Sequence, residues 1–150
     1  MKIKRTERGW AGHFILGYKC KFRRNTLLSS PDGRHIVVST VGNLEPFKSS
    51  GIIPGYGTSP EVMENLGIQR HYETMAFIAE KRGHYIDMKS GHDVSFESPW
   101  SLEYTDKNKD YIDNLANDMH ERVVTEIVAN FDRLYNKAVK SYTDTHDAID

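Results

Sequence analysis

The seven histidines and the single cysteine are the residues best suited to catalysis or metal binding, and their spacing supports neither. The histidines stand at positions 13, 35, 71, 84, 92, 120 and 146. No two of them are four residues apart on one helix face, and the chain has neither a Cys-x-x-Cys pair nor an acidic calcium loop. Cys20 alternates with Phe22, which is typical of a small core residue. The sequence therefore predicts no metal site and no cofactor.

His120 and Glu121 are the one adjacent pair that offers acid–base chemistry. Side chains of consecutive helical residues point about 100° apart, so the two would not face each other. The chain also lacks the glycine-rich phosphate loops and the nucleophile motif of hydrolases. We therefore expect a protein that is not an enzyme. A nucleotide-degrading enzyme that uses His120, Glu121 or His13 is the alternative.

Binding chemistry is better represented, first by an amide and two large aromatic residues. Asn117 carries a donor and an acceptor together, so it can read the edge of a base, although a solvated helix face explains it as well. Trp10 and Trp100 are candidates for stacking on a base, and core packing is the competing role for each.

Arginines supply the second binding element. Arg82 lies in a predicted turn beside Gly83 and Arg133 lies on a predicted helix, and a guanidinium fork matches the geometry of a phosphate. In the segment Arg23, Arg24, Asn25 and Thr26, alternate residues of a strand point to opposite faces, so one arginine must point inward or into an interface. An anionic ligand or an internal salt bridge would each make that arginine tolerable.

The element that must organise these residues is the apolar stripe of the last quarter. It comprises Ile112, Leu115, Met119, Val123, Ile127, Phe131, Leu134, Ala138 and Tyr142. Steps of three and four predict an amphipathic helix over 109–142, and such a helix would span roughly 50 Å. A helix of that length must run past its own core or break once. We expect its surplus apolar surface to be covered by a second copy of the chain, which predicts a homo-oligomer.

Strand signals fill the rest of the chain and predict an α+β fold. We expect an edge strand at 2–8, further N-terminal strands to residue 41, a flexible loop at 42–68 and a β-meander at 69–102 with turns at 81–83 and 89–91. Residues 20–41 form the clearest hairpin, because Ser30–Arg34 is a strong turn signal. About six antiparallel strands followed by helix make a single domain of residues 1–150.

Composition narrows the class of partner. The 150 residues carry a net charge of -1, which argues against duplex DNA as a partner. No apolar run approaches the ~20 residues that span a bilayer, and no secretory signal opens the chain, so we expect no membrane contact and a cytoplasmic location. Residues 2–24 are nevertheless basic, with Glu7 as their one acid. An anionic partner and a solvated edge strand both explain that bias.

Several segments together resemble small phage and prophage proteins. They are residues 8–14, 22–27, 37–42, 72–77 and 117–121. The functional family they resemble is the phage Thoeris anti-defence sponge of the first-described type. The resemblance implies a β-sheet followed by C-terminal helices that interlock in a dimer and can assemble into a hexamer. It also implies sequestration of cyclic ADP-ribose isomers without cleavage, with cyclic oligonucleotides held elsewhere in some members.

The resemblance also implies roles for individual residues. Asn117 and an aromatic residue such as Trp100 would take the base, while Arg82 and Arg133 would take the pyrophosphate. The segment 23–26 would suit a second anionic ligand. The loop at 42–67 departs from the family because it is longer than the family needs, and it leaves the pocket rim undetermined. Through that loop, direct inhibition of a host defence protein is a further alternative.

Overall fold

The computed structural model describes residues 2–8, 20–43, 72–94, 101–102, 107–108 and 110–147. Its elements are β1 (Lys4–Arg8), β2 (Cys20–Ser29), β3 (His35–Asn43), β4 (Tyr72–Arg82), β5 (Tyr85–Val94), β6 (Ser101–Leu102), α1 (Ile112–Ala129) and α2 (Phe131–Asp147). An antiparallel sheet followed by helices confirms the predicted α+β class.

The sheet has the strand order β1-β2-β3-β4-β5, and β6 pairs with the beginning of β4. The predicted hairpin at 20–41 is confirmed as β2 and β3. Its turn closes through a hydrogen bond from Ser30 N to Arg34 O at 2.9 Å, and Gly33 supplies a φ of +87° that other residues rarely adopt.

Two predicted boundaries in the sheet are wrong. The expected turn at 89–91 is an irregular stretch inside β5, where Ala79 pairs with Met88 and Phe77 pairs with Asp93. Residues 89–92 therefore oppose Ile78 alone, and such an insertion bends a strand without ending it. The loop was predicted to begin at residue 42, but β3 continues to Asn43. Residues 44–71 lie outside the described part of the chain.

The predicted helix at 109–142 is two helices that meet at Asn130. The backbone N–H of Asn130 donates to Glu126 O at 3.1 Å, and its side-chain Nδ2 donates to the same carbonyl at 2.9 Å. Its own carbonyl accepts from Leu134 N, which opens α2. Asn130 thus ends α1 and starts α2. Neither of the two described helices is long and apolar enough to cross a membrane.

The apolar stripe of these helices is buried against the chain's own sheet. Phe131, Leu134 and Ala138 pack with sheet residues such as Ile78 in one core cluster. The described large apolar side chains that remain exposed are Tyr111 at 47%, Val128 at 40% and Val139 at 38%. The expectation that the stripe exceeds what one chain can cover is therefore wrong, because the break at Asn130 turns α2 back over β5.

Candidate functional site

A polar cluster interrupts the apolar core where α1 crosses the first strands of the sheet. His120 lies at its centre and is 0% exposed. Its Nε2 lies 2.7 Å from Thr26 Oγ1, and its Nδ1 lies 2.7 Å from Thr40 Oγ1. Thr40 Oγ1 in turn lies 2.6 Å from Thr74 Oγ1. Three adjacent strands thus each direct a threonine toward one helical histidine.

The direction of these hydrogen bonds follows from Glu7. Thr26 Oγ1 lies 3.0 Å from both carboxylate oxygens of Glu7, which can only accept while ionised. Thr26 must therefore donate to Glu7 and accept from His120 Nε2–H. Nδ1 is then the acceptor for the Thr40 hydroxyl. We infer the neutral Nε2–H tautomer of His120.

Burial also holds His120 in the neutral state. Desolvation lowers its pKa to about 4, and the positive charge of Arg24 acts in the same direction. Because both ring nitrogens are engaged and the ring is fully buried, the imidazole has no free nitrogen to offer a ligand. The acid–base role considered for His120 is therefore poorly served by this geometry.

Four charged side chains form a layer above His120, at the partly exposed side of the cluster. The guanidinium groups of Arg5 and Arg24 each reach Glu121 Oε1 at 2.5 Å, and Arg5 Nη2 also reaches Glu7 Oε1 at 2.7 Å. Hydrogen bonds from Arg5 and then Arg24 lower the pKa of Glu121 to about 2. Burial acts to raise the pKa of Glu7, but hydrogen bonds from Arg5 and Thr26 lower it overall. Two cations and two anions balance within this ion cluster.

Asn117 joins the ion cluster through Arg24. Arg24 Nη1 lies 3.4 Å from Asn117 Oδ1, which is long for a hydrogen bond. The two residues are 93 positions apart in the sequence and belong to different predicted sites. We call Arg5, Glu7, Arg24, Asn117 and Glu121 the Arg24–Asn117 patch. In the part of the chain that the structure describes, this patch brings together Arg24 and Asn117, two predicted site residues from separate segments.

A pocket that shares Arg5 with the patch opens at the start of β1. Its volume is about 600 Å³, and its lining comprises Lys2, Ile3, Lys4, Arg5, Ser29, Ser30 and Pro31. Arg5 thus belongs both to the pocket lining and to the ion cluster. Pockets of this size are typical of small-molecule sites.

The other residues predicted to contact a ligand lie away from the patch. Arg82 ends β4 and pairs with Glu80 at 3.3 Å. Arg133 is exposed in the first turn of α2, beside a pocket of about 400 Å³ at the helix break. Asn117 stands 12 residues before the end of α1, so roughly 18 Å of helix separates it from that break. Trp10 and Trp100 lie outside the described residues.

The predicted second anionic segment is divided by strand alternation. Arg24 and Thr26 face α1, whereas Arg23 and Asn25 face the opposite side of the sheet. The inward arginine is Arg24, and in this structure an internal salt bridge to Glu121 neutralises it. Segment 23–26 therefore presents two residues to each face.

Sequence reasoning missed Arg5, Glu7, Thr40 and Thr74, and it named Thr26 without its histidine partner. A usable signal was present, because Thr26, Thr40 and Thr74 occupy inward positions of otherwise apolar strands and require a polar partner. Their partner, His120, sits on the buried stripe of α1. Within the described ranges, no three or more His, Cys, Asp or Glu side chains converge as metal ligands would.

Comparison with known proteins gave no match to a family model, to a curated protein or to a solved structure.

Proposed function

We propose that this protein is a non-catalytic binding protein for a small phosphorylated nucleotide, held at the Arg24–Asn117 patch. The observation that carries the proposal is the meeting of Arg24 with Asn117 at 3.4 Å on a partly exposed surface. A guanidinium that can take a phosphate oxygen stands beside an amide that can take a base or ribose.

The surrounding charges support an anionic ligand. Lys2 and Lys4 line the neighbouring pocket, and no ion pair joins either lysine to another described residue. The positive charge of these lysines raises the local concentration of anions. The pocket and the patch share Arg5, so a phosphate bound there would interact with both.

The ligand class comes from the family resemblance. Cyclic ADP-ribose isomers carry a base and two phosphates, which suits an amide beside arginines. In this proposal the protein sequesters such an immune signal in the host cytoplasm and serves phage counter-defence. The buried, doubly engaged His120 supports retention rather than cleavage, because it cannot act as a general acid or base on the ligand.

Recovery of the ligand tests sequestration against degradation. The pure protein is incubated with a cyclic ADP-ribose isomer, separated from free ligand, and heat-denatured. We expect chromatography of the supernatant to return the nucleotide unchanged and in proportion to protein. A hydrolysed product would replace this proposal with a nucleotide-degrading enzyme.

Glu7→Gln should strengthen ligand binding. An incoming phosphate must displace Glu7, which is the most exposed of the four charged members with 50% of its side chain exposed. Removing that competing charge should raise affinity about fivefold, matching the ~1 kcal/mol between unit charges 4 Å apart in water. Titration calorimetry measures the change. Asp118→Asn removes an equal charge from exposed α1 and should leave affinity unchanged, and equal gains in both variants would contradict a specific role for Glu7.

The second part of the proposal is that the chain forms a homodimer. The support for it is the exposure of apolar helical side chains, Val128 and Val139. Val128 lines the pocket at the helix break together with Arg133, so a partner helix packed there would cover an apolar and a charged residue. Sedimentation of the wild-type protein should give twice the mass of one chain, and Val128→Asp should give one. A wild-type monomer at the highest concentration would remove this part of the proposal while leaving the ligand site in place.

A further inference from the structure

β1 is an edge strand, and its outer side is open to a partner. Among the strands that the structure describes, β2 is its one neighbour. The residues from Lys4 to Glu7 are all exposed, whereas the residues of β2 and β3 beside them in the sheet are mostly buried. Because strand residues alternate between two faces, exposure of four in succession leaves both faces of β1 accessible. The outer side of β1 can therefore accept another strand.

The hydrogen bonds of the β2–β3 hairpin identify which backbone groups of β1 point outward. The N–H of Ser30 donates across the turn to the β3 side, so even-numbered residues of β2 bond to β3 and odd-numbered residues bond to β1. Lys4 and Thr6 oppose odd-numbered residues of β2, so their N–H and C=O groups are used within the sheet. The N–H and C=O groups of Arg5 and Glu7 therefore point away from β2, where an added strand would meet them.

The charges of this edge indicate the charge of the strand that it would accept. In residues 2–8, Lys2, Lys4, Arg5 and Arg8 stand against a single acid, Glu7. A second copy of the same edge would be repelled, which is a common role of lysine on an edge strand. An acidic strand would be attracted, because opposite charges on facing residues stabilise a strand pair. A nucleic acid backbone would satisfy the charges, but it has no N–H donors for the outward carbonyl groups.

The start of β1 adds a place for apolar side chains. Ile3 packs against the apolar core, and it is flanked in the sequence by the exposed Lys2 and Lys4. The pocket of about 600 Å³ at this end is lined by Ile3 and Pro31 as well as by both lysines. A strand that alternates acidic with apolar residues would bring its carboxylates to the lysines and an apolar side chain to this pocket.

We propose that β1 is a docking edge for an extended acidic segment of another protein, in which acidic and apolar residues alternate. The added strand bonds to the outward backbone groups of Arg5 and Glu7, and its carboxylates lie beside Lys2 and Lys4. This interaction does not require a nucleotide at the Arg24–Asn117 patch, although β1 contributes Arg5 and Glu7 to that patch.

The first test measures the charge requirement by fluorescence anisotropy, with no nucleotide present. The probe is a fluorescein-labelled peptide of alternating glutamate and valine, long enough to span β1, titrated with the full chain. The wild-type protein should bind this peptide and should not bind a peptide with lysine in place of each glutamate. Replacing both Lys2→Glu and Lys4→Glu should weaken binding about tenfold at low salt, and less at high salt because salt screens exposed charges.

The second test isolates the backbone contact. Glu7→Pro removes the outward N–H of residue 7 and leaves the bonds between β1 and β2 in place, since proline is tolerated on the outer side of an edge strand. Glu7→Ala is the matched control, because both variants lose the same carboxylate. Glu7→Pro should bind the peptide about fivefold more weakly than Glu7→Ala, as expected for one lost hydrogen bond.

The outcomes separate the docking edge from other occupants and from the proposed function. No binding of the acidic peptide to the wild type, equal binding of the lysine peptide, or equal affinities of the two Glu7 variants would overturn it. A single-stranded oligonucleotide that binds in place of the peptide, or a dimer that Glu7→Pro dissociates, would assign the edge to a different occupant and also contradict it. Since the peptide is titrated without nucleotide, its failure to bind would leave the Arg24–Asn117 patch untouched.

Discussion

Phe131→Asp is expected to unfold much of the protein rather than to separate intact subunits. Phe131 is 2% exposed, stacks on Tyr135 at a centroid distance of 6.1 Å, and lies 5.5 Å from the Arg34 guanidinium. Truncating a buried phenylalanine costs about 3–5 kcal/mol, and an unpaired buried carboxylate adds to that. Arg34 cannot easily compensate, because Asp32 and Asp132 already hold it.

Thermal denaturation followed by circular dichroism measures this effect. Tm should fall by about 10 °C or more. Asn136→Asp places a carboxylate on the exposed side of the same helix and should change Tm little. A folded Phe131→Asp protein with wild-type Tm and half the wild-type mass would restore the intersubunit role first expected for this stripe.

The second large effect is a loss of stability as the pH falls from about 6.5 to about 4. The folded protein depresses the pKa of His120 from 6.5 to about 4, so the unfolded chain binds an additional proton in that range. The stabilisation is complete above pH 6.5 and is lost progressively toward pH 4. A difference of about 2.5 pH units corresponds to about 3 kcal/mol. The lowered pKa values of Glu7 and Glu121 act mainly below this window.

Urea denaturation at a series of pH values measures this dependence. His120→Gln removes the titrating group, so its free energy of unfolding should vary less between pH 6.5 and 4 than that of the wild type. Comparing slopes cancels the other histidines, which both proteins share. If the free energies of unfolding of both proteins changed equally with pH, the pH dependence would not come from His120.

Local signals predicted the fold more successfully than its boundaries. The turn at Ser30–Arg34 located the β2–β3 hairpin because serine, proline and glycine act within four or five residues. The length of the predicted helix left one break as an option, but the sequence did not place it at Asn130, since the apolar period continues from Ile127 to Phe131 across that residue. The turn predicted at 89–91 failed for a related reason, because a glycine in a strand can mark a bulge as well as an end.

The candidate site was predictable only in part. Arg24 and Asn117 were each chosen for their chemistry, but their meeting depends on how α1 lies across β2. No sequence motif identified Glu7, because the role of a single acid in a basic segment depends on its contacts with Arg5 and Thr26 in the folded protein. The ion cluster therefore required tertiary structure.

The most direct measurement of the central claim is calorimetric titration of a cyclic ADP-ribose isomer into three proteins. Wild-type protein and Asn114→Ala, which alters an exposed amide on the same helix, should bind alike. Asn117→Ala should bind at least about tenfold more weakly, which corresponds to ~1.4 kcal/mol, while keeping the wild-type Tm. No binding to the wild type, or equal affinity in all three proteins, would contradict a nucleotide site at the Arg24–Asn117 patch.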